Sequence, residues 1–357
     1  MSNKHIVVIP GDGIGAEITA AALSVAQAAA NKCGFTFTHE IKQAGGAAID
    51  QFGVPLPEDT VQACRKADAV LLGAVGGPQW DNVAPELRAE KAILGLRKAL
   101  GLYANLRPVK ALPALVGQSP LKPEIVSTVD ILIVRELNGG IYYGARQEAA
   151  LVNGVEQASD NEMYSRPEVE RIVRLACQAA IGRKGKVMSV DKANVLATSR
   201  LWRKVAEEIA EGYEQVDLSH MYVDNCAMQL VLNPGSFDVI VTGNLFGDIL
   251  SDEAAVLTGS IGLLPSASLG DGTGLYEPIH GSAPDIAGKG IANPLGTILS
   301  AAMMFRYSFG NEQAALMIEQ AVEQVLNDGY RTADLYQPGL TKVSTEEMGR
   351  QVIARLG

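Results

Sequence analysis

Two aspartates four residues apart, Asp248 and Asp252, stand in the run Gly243-Asn244-Leu245-Phe246-Gly247-Asp248-Ile249-Leu250-Ser251-Asp252, directly after the β-branched segment Val239 to Thr242. A helix starting there puts both carboxylates on one face. Like charges at that spacing repel unless a cation lies between them, and a hard divalent ion such as Mg2+ or Mn2+ suits oxygen donors. The flanking Leu, Ile and Phe set the pair in apolar company, which favours a metal over a solvated helix face. Asp224, in Tyr222-Val223-Asp224-Asn225, is a candidate third carboxylate from another element.

Three arginines complement this acidic set. Arg97 and Arg107 each follow a leucine, and Arg135 ends the apolar run Ile131-Leu132-Ile133-Val134. Guanidinium forks grip carboxylates in bidentate fashion, so three of them suit a dicarboxylate. Arg135 is the strongest candidate, because strand C-termini in α/β sheets open toward the ligand crevice. Lys192, in Val190-Asp191-Lys192-Ala193-Asn194, and Tyr142, after Gly139-Gly140-Ile141, are candidates for proton transfer. His280 differs from His5, His39 and His220 in lying within a Gly/Ser-rich loop, Glu277 to Asp285. Such a loop offers backbone N–H groups to phosphates, and Asp285 could accept hydrogen bonds from ribose hydroxyls.

The elements that must carry these residues alternate strand and helix. Strand-like runs occur at His5 to Ile9, Phe35 to Ile41, Ala69 to Leu72, Ile131 to Val134, Lys186 to Val190 and Val239 to Thr242. Helical stretches occur at Gly15 to Asn31, Leu56 to Lys66, Pro167 to Ile181 and Ser199 to Glu211. Continuous apolar strands alternating with helices imply an α/β sheet covered on both faces. Between Tyr142 and Tyr164 the Asn153-Gly154 pair predicts a β-hairpin, an arm with no partner in the α/β pattern. The turn Gly11-Asp12-Gly13-Ile14-Gly15 invites a dinucleotide-binding reading, but Asp12 would set a carboxylate beside the pyrophosphate. The alternative is a tight strand-to-helix turn needing positive φ.

Composition bounds the function. With 357 residues, 47% of them hydrophobic and 20% charged, the chain has the make-up of a globular protein of two lobes. A net charge of −10 disfavours nucleic acid, which needs a concentrated basic surface. No 18-residue apolar run predicts a membrane span, and no signal-peptide pattern opens the chain. The scattered cysteines Cys33, Cys64, Cys177 and Cys226 predict reduced packing residues, so a cytoplasmic location is expected.

Taken in order, Gly11-Asp12-Gly13-Ile14-Gly15, Gly76-Gly77-Pro78, Leu96-Arg97, Asn105-Leu106-Arg107-Pro108, Arg135-Glu136, Gly139-Gly140-Ile141-Tyr142, Lys192-Ala193-Asn194, Gly243 to Asp252 and His280-Gly281-Ser282-Ala283-Pro284-Asp285-Ile286 resemble the isocitrate/isopropylmalate family of metal-dependent β-decarboxylating dehydrogenases. The resemblance covers essentially the whole chain. It implies a two-domain α/β fold with a mixed sheet, a non-Rossmann NAD site and a homodimer with shared active sites. Residues 1–102 with 259–357 would form a discontinuous cofactor-side domain, and 103–258 a central domain with the dimer interface and an intersubunit arm. By position, Arg97, Arg107 and Arg135 would bind the substrate carboxylates. Asp248, Asp252 and Asp224 would hold Mg2+ or Mn2+, with Lys192 and Asp224 reaching the site from the partner. Lys192 would take the hydroxyl proton and Tyr142 would protonate the enol carbon. Gly76, Gly77, His280, Gly281, Ser282, Ala283, Asp285, Ile286 and Asn293 would line the NAD site, with Glu90 near the nicotinamide.

Two positions discriminate within the family. Isocitrate enzymes carry Ser and Asn just before the Leu-Arg matching Leu96-Arg97, whereas Ile93 and Leu94 here offer an apolar wall to an alkyl substituent. Burying an isopropyl group there is worth about 2 kcal/mol, while a third carboxylate would be left unpaired. Asp285-Ile286 follows the NAD pattern, and a 2′-phosphate beside Asp285 would be repelled. A D-malate or tartrate dehydrogenase of the same family is the alternative. A Mg2+-dependent phosphoryl-transfer enzyme is disfavoured, since no Walker loop is present.

Overall fold

The computed structural model describes residues 4–257 and 259–357. Its strands are Lys4–Gly11 (β1), Phe37–Ile41 (β2), Ala69–Ala74 (β3), Leu102–Lys110 (β4), Asp130–Glu136 (β5), Arg146–Val152 (β6), Val155–Asp160 (β7), Lys186–Asp191 (β8), Asp217–Tyr222 (β9), Val239–Thr242 (β10), Pro265–Gly270 (β11), Gly274–Pro278 (β12), Tyr330–Arg331 (β13) and Thr341–Lys342 (β14). Two compact units emerge: Met1–Leu102 with Ala111–Pro123 and Ala255–Gly357, and Tyr103–Lys110 with Glu124–Ala254.

In the first unit the strand order is β2-β1-β3-β12-β11. All neighbours are parallel except β11, which runs antiparallel to β12. Buried β3 is apolar or glycine along its whole length, as a strand covered on both faces must be. The helix Leu295–Tyr307 is buried almost all round and forms the centre of this unit. In the second unit the order is β4-β5-β10-β8-β9, parallel except for β4 against β5. The helices Arg166–Ile181 and Ala197–Ala210 cover it. The first opens with a reciprocal Ser165/Glu168 capping box, with a proline in its first turn. The α/β architecture predicted from strand–helix alternation, and the mixed sheet implied by the family resemblance, are therefore those observed.

Several boundaries move for physical reasons. Phe35 lies outside β2 because its N–H is bonded to Ala30 O at the end of the preceding helix. The helix expected from Leu56 begins at Glu58, since Pro57 holds an extended backbone. Residues 111–123, assigned from the sequence to the central domain, pack with the first unit. There Arg331 Nη2 donates to Ala114 O and Gln118 Nε2 to Leu335 O. Thr258, at the proposed boundary, lies outside the described residues. The Asn153-Gly154 hairpin is present as β6 and β7, with positive φ at both turn residues (52° and 77°) and nearly every strand position exposed. Among the described residues no helix is long and apolar enough to cross a membrane.

Candidate active site

In the second unit, Arg135 is the penultimate residue of β5 and the helix Asn244–Val256 follows β10, its neighbour in the sheet. Arg135 is 2% exposed and donates Nη1 to Asp248 Oδ1. It lies close across that helix because residue 247 is glycine: a Cβ there would sit 2.7 Å from Arg135 Cγ. From β4, Arg107 sends Nη1 to Ser251 Oγ at 2.6 Å and to Asp252 Oδ1 at 3.2 Å, and its Nη2 stands 3.6 Å from Asp248 Oδ1. Asp248 is thus shared by two buried arginines, and a second carboxylate, Asp252, joins them one turn on. Burial raises the Asp252 carboxyl above its ordinary value; Arg107 pulls it down and Asp248 pushes it up again. The Tyr142 hydroxyl donates to Asp248 Oδ2 at 3.0 Å. Burial, followed by the Asp248 charge, raises that phenol, so it stays protonated and able to donate.

Lys192 follows β8 in a turn fixed by Asp191, whose carboxylate accepts the Ala193 N–H and both Nε and Nη2 of Arg203. Its Nζ donates to Asp224 Oδ1 at 2.7 Å, and that bond is the main reason the Asp224 carboxyl sits below its usual range. Asp224 therefore pairs with Lys192. Among the described residues no group of three or more His, Cys, Asp or Glu gathers to hold a metal ion. The chain brings Asp248 and Asp252 together on one helix but does not add Asp224 to them.

The first unit carries the other predicted residues. Glu90 stands at the N-cap of the helix Lys91–Ala99, so Glu90, Ile93, Leu94 and Arg97 share one face. Ile93 and Leu94 are half-buried. Arg97 pairs with Glu277 at 3.1 Å and keeps a buried Nε without a partner. Gly76 lies against Glu90, with a Cβ at Gly76 falling 2.9 Å from Glu90 Oε1. Gly77 adjoins the Trp80 ring. The 280–293 loop is anchored at both ends. Ser282 Oγ donates to Gly76 O, and Ser282 O accepts the Ile14 N–H. Ile286 and Ala283 pack on Ile14 and Ile18, while Asn293 Nδ2 donates to Asp334. His280 Nδ1 faces Gly281 O at 3.0 Å, so it carries the proton and leaves a buried Nε2 acceptor with no partner. Burial lowers that imidazole, keeping it neutral. Gly281 and Asp285 are exposed.

The Gly11–Gly15 turn has a different task. A Cβ on Gly13 would fall 2.0 Å from Ser282 O, so the turn is filled by the chain's own loop. Buried Asp12 accepts the N–H groups of Gly46, Ala47 and Gly76 at 2.7–2.8 Å. Its carboxylate organises backbone rather than opposing a phosphate.

This arrangement matches a known family. The isocitrate/isopropylmalate dehydrogenase model matches residues 5–352. The chain belongs to that family. It is 56% identical, over the full length of both chains, to a 3-isopropylmalate dehydrogenase of Clostridium acetobutylicum. It is 58% identical to one of Geobacillus kaustophilus, covering 99% of this chain and 95% of that one. Among solved structures, isocitrate dehydrogenase of Methylococcus capsulatus superposes with a TM-score of 0.89 at 38% identity, covering 99% of each chain. A β-decarboxylating dehydrogenase of Thermococcus kodakarensis gives 0.81 at 39% identity, covering 99% of this chain and 96% of that one.

Within this family frame, four residues given no role from the sequence hold others in place: Asp12, Asn105, Asn244 and Ser251. Asn105 carried a readable signal, since it lies two before Arg107 on one strand and so shares its face. Asn244 carried none, because its partner Arg135 is 109 residues away.

Proposed function

We propose that the chain oxidises (2R,3S)-3-isopropylmalate at C2 and decarboxylates it to 4-methyl-2-oxopentanoate and CO2 while reducing NAD, a step of leucine biosynthesis. The observation that carries this reading is full-length identity of 56–58% to proteins named 3-isopropylmalate dehydrogenase, against 38% to the isocitrate enzyme. The half-buried Ile93 and Leu94, on one helical face between Glu90 and Arg97, fit an alkyl substituent rather than a third carboxylate.

Roles follow from chemistry. Arg97, Arg107 and Arg135 bind the substrate carboxylates. Lys192 accepts the C2 hydroxyl proton, directly or through water, and Tyr142, held protonated, returns a proton to carbon after CO2 departs. Asp248 and Asp252 are hard oxygen donors on one face and would hold a Mg2+ or Mn2+ ion, with Asp224 of the partner subunit as the third carboxylate. Such an ion would polarise the substrate oxygen and stabilise the charge left by CO2 loss. NAD would take the hydride. The unpartnered His280 Nε2 acceptor and the exposed Asp285 carboxylate suit a nucleoside's amino and hydroxyl groups, and Asp285 disfavours a 2′-phosphate.

A homodimer is part of this reading. Asp224, Met228 and Val231 follow an i, i+4, i+7 pattern, so Asp224 shares a helix face with exposed apolar side chains. Leu151 and Val155 are exposed on the β6–β7 hairpin, as an intersubunit arm requires. Nucleic acid and membrane partners are not part of the assignment, and the four unpaired cysteines accord with the cytoplasm. Incubation with 3-isopropylmalate, Mg2+ and NAD should yield NADH and CO2 in equal amounts. NADH without CO2, or neither, would overturn the assignment.

A further inference from the structure

The two arginines of the acidic cluster are held from behind in the same unusual way. Arg107 donates Nε to Asn105 Oδ1 at 2.6 Å. Arg135 donates both Nε and Nη2 to Asn244 Oδ1, at 3.0 and 2.7 Å. Both asparagines are at most 1% exposed. Elsewhere in the same unit the Nε acceptor is a carboxylate: Asp160 for Arg146, Asp238 for Arg183 and Asp191 for Arg203. Those arginines are structural, and their charge is neutralised where it stands.

We propose that Asn105 and Asn244 are positioning residues that orient the two guanidinium groups without adding a further negative charge to Asp248 and Asp252, which already face them, and that this keeps the pair selective for a dianionic substrate. A buried guanidinium needs an acceptor at Nε, or the donor is orphaned. An aspartate would meet that need best, but it would also make a salt bridge and spend the charge that must attract the substrate's carboxylates. An amide oxygen fixes the plane of the fork and adds no third carboxylate to Asp248 and Asp252. Asn244 is itself locked the right way round, since its Nδ2 donates to Leu137 O and Gly139 O at 3.2 Å, which leaves only Oδ1 to face Arg135. Its backbone N–H donates to the Tyr164 hydroxyl at 2.7 Å, tying the support to the core.

The proposal rests on the dicarboxylate reading above, and Asn105 tests it most cleanly. Asn105→Asp keeps shape and acceptor but adds a charge; Asn105→Leu keeps volume and removes the acceptor; Asn105→Ser restores a neutral acceptor. In Asn105→Asp the KM for 3-isopropylmalate should rise about tenfold or more, with kcat and Tm changed far less, because a further carboxylate beside Arg107 opposes the substrate's own. Asn105→Leu should also raise KM, through lost orientation, and Asn105→Ser should recover part of the loss. Asn244→Asp should lose stability as well, its added oxygen meeting two carbonyls. A folded Asn105→Asp enzyme with KM within about twofold of wild type overturns the proposal, because anion affinity then ignores the local charge. Should Asn105→Asp not fold, an unchanged KM in Asn105→Leu overturns it equally. Wild-type protein that makes no NADH from 3-isopropylmalate sinks the functional reading instead.

Discussion

The second unit's acid–arginine cluster and the first unit's 280–293 loop are built on opposite principles. In the cluster, charged side chains are assigned the function on the proposed reading: Arg107, Arg135, Asp248 and Asp252 meet within a few ångströms, braced by Asn105, Asn244 and Ser251. In the loop, side chains mainly anchor and backbone is presented. Ser282 and Ile286 are spent on Gly76, Ile14 and Ile18, and Asp12 spends its whole carboxylate on three N–H groups. The contrast suits the ligands assigned to each. A small dianion is held by localised opposite charge, whereas a long nucleotide is held by many weaker contacts along a shaped chain.

The largest effect should come from the proton-transfer residue. Lys192→Met should lower kcat by roughly a thousandfold while NAD affinity and Tm stay near wild type. Turnover that survives this change would remove Lys192 from the mechanism. Next comes Asp12→Ala, which removes the acceptor of three N–H groups, two of them fully buried, and should cost about 3 kcal/mol of stability in denaturant titration. Because one of those groups belongs to Gly76, KM for NAD should rise while KM for the hydroxy acid holds. Equal rises in both would erase the distinction between the two regions.

That contrast also explains what could be read in advance. The cluster was legible because its residue types are rare in apolar settings and its spacings are short: Asp248 and Asp252 on one helix face, Arg135 at a strand end. Six strands and four helices were legible for the same local reason, as apolar runs, whereas β4, β9, β11 and β12 were not marked by any such run. Asn244 was not, since its partner lies on a strand far away in sequence and nothing local marks it. The 111–123 segment was misassigned because backbone carbonyls, which have no sequence signature, receive Arg331 and help bind it to the first unit. The Gly11–Gly15 turn looked like a phosphate loop because glycine reports only that backbone comes close. Here the approaching backbone is Ser282, not a ligand.

Smaller changes sharpen the picture. Leu94→Ala should remove about 2 kcal/mol of alkyl burial, a loss of roughly thirtyfold in kcat/KM for 3-isopropylmalate with D-malate unaffected. An equal loss on both acids would mean that Leu94 shapes the helix rather than the pocket. The smallest effect is alkaline. Burial pushes Cys64 in the first unit and Cys226 in the second up to about 12 from the ordinary 9.0. Unfolded thiols ionise first, so their contribution is intact below pH 9 and is lost as pH rises toward 12, by about 1 kcal/mol each at pH 10. Tm should therefore fall between pH 8 and 10, and fall less in Cys64→Ala and Cys226→Ala. An undiminished fall in both variants would assign it to other groups.

The central claim is that the arginines hold a malate core while Ile93 and Leu94 select its substituent. The most direct test is kcat/KM measured by NADH formation with Mg2+ on 3-isopropylmalate, D-malate and isocitrate under one set of conditions. The account predicts a clear preference for 3-isopropylmalate, weaker turnover of D-malate and the least with isocitrate. Isocitrate or D-malate turned over faster than 3-isopropylmalate would contradict it.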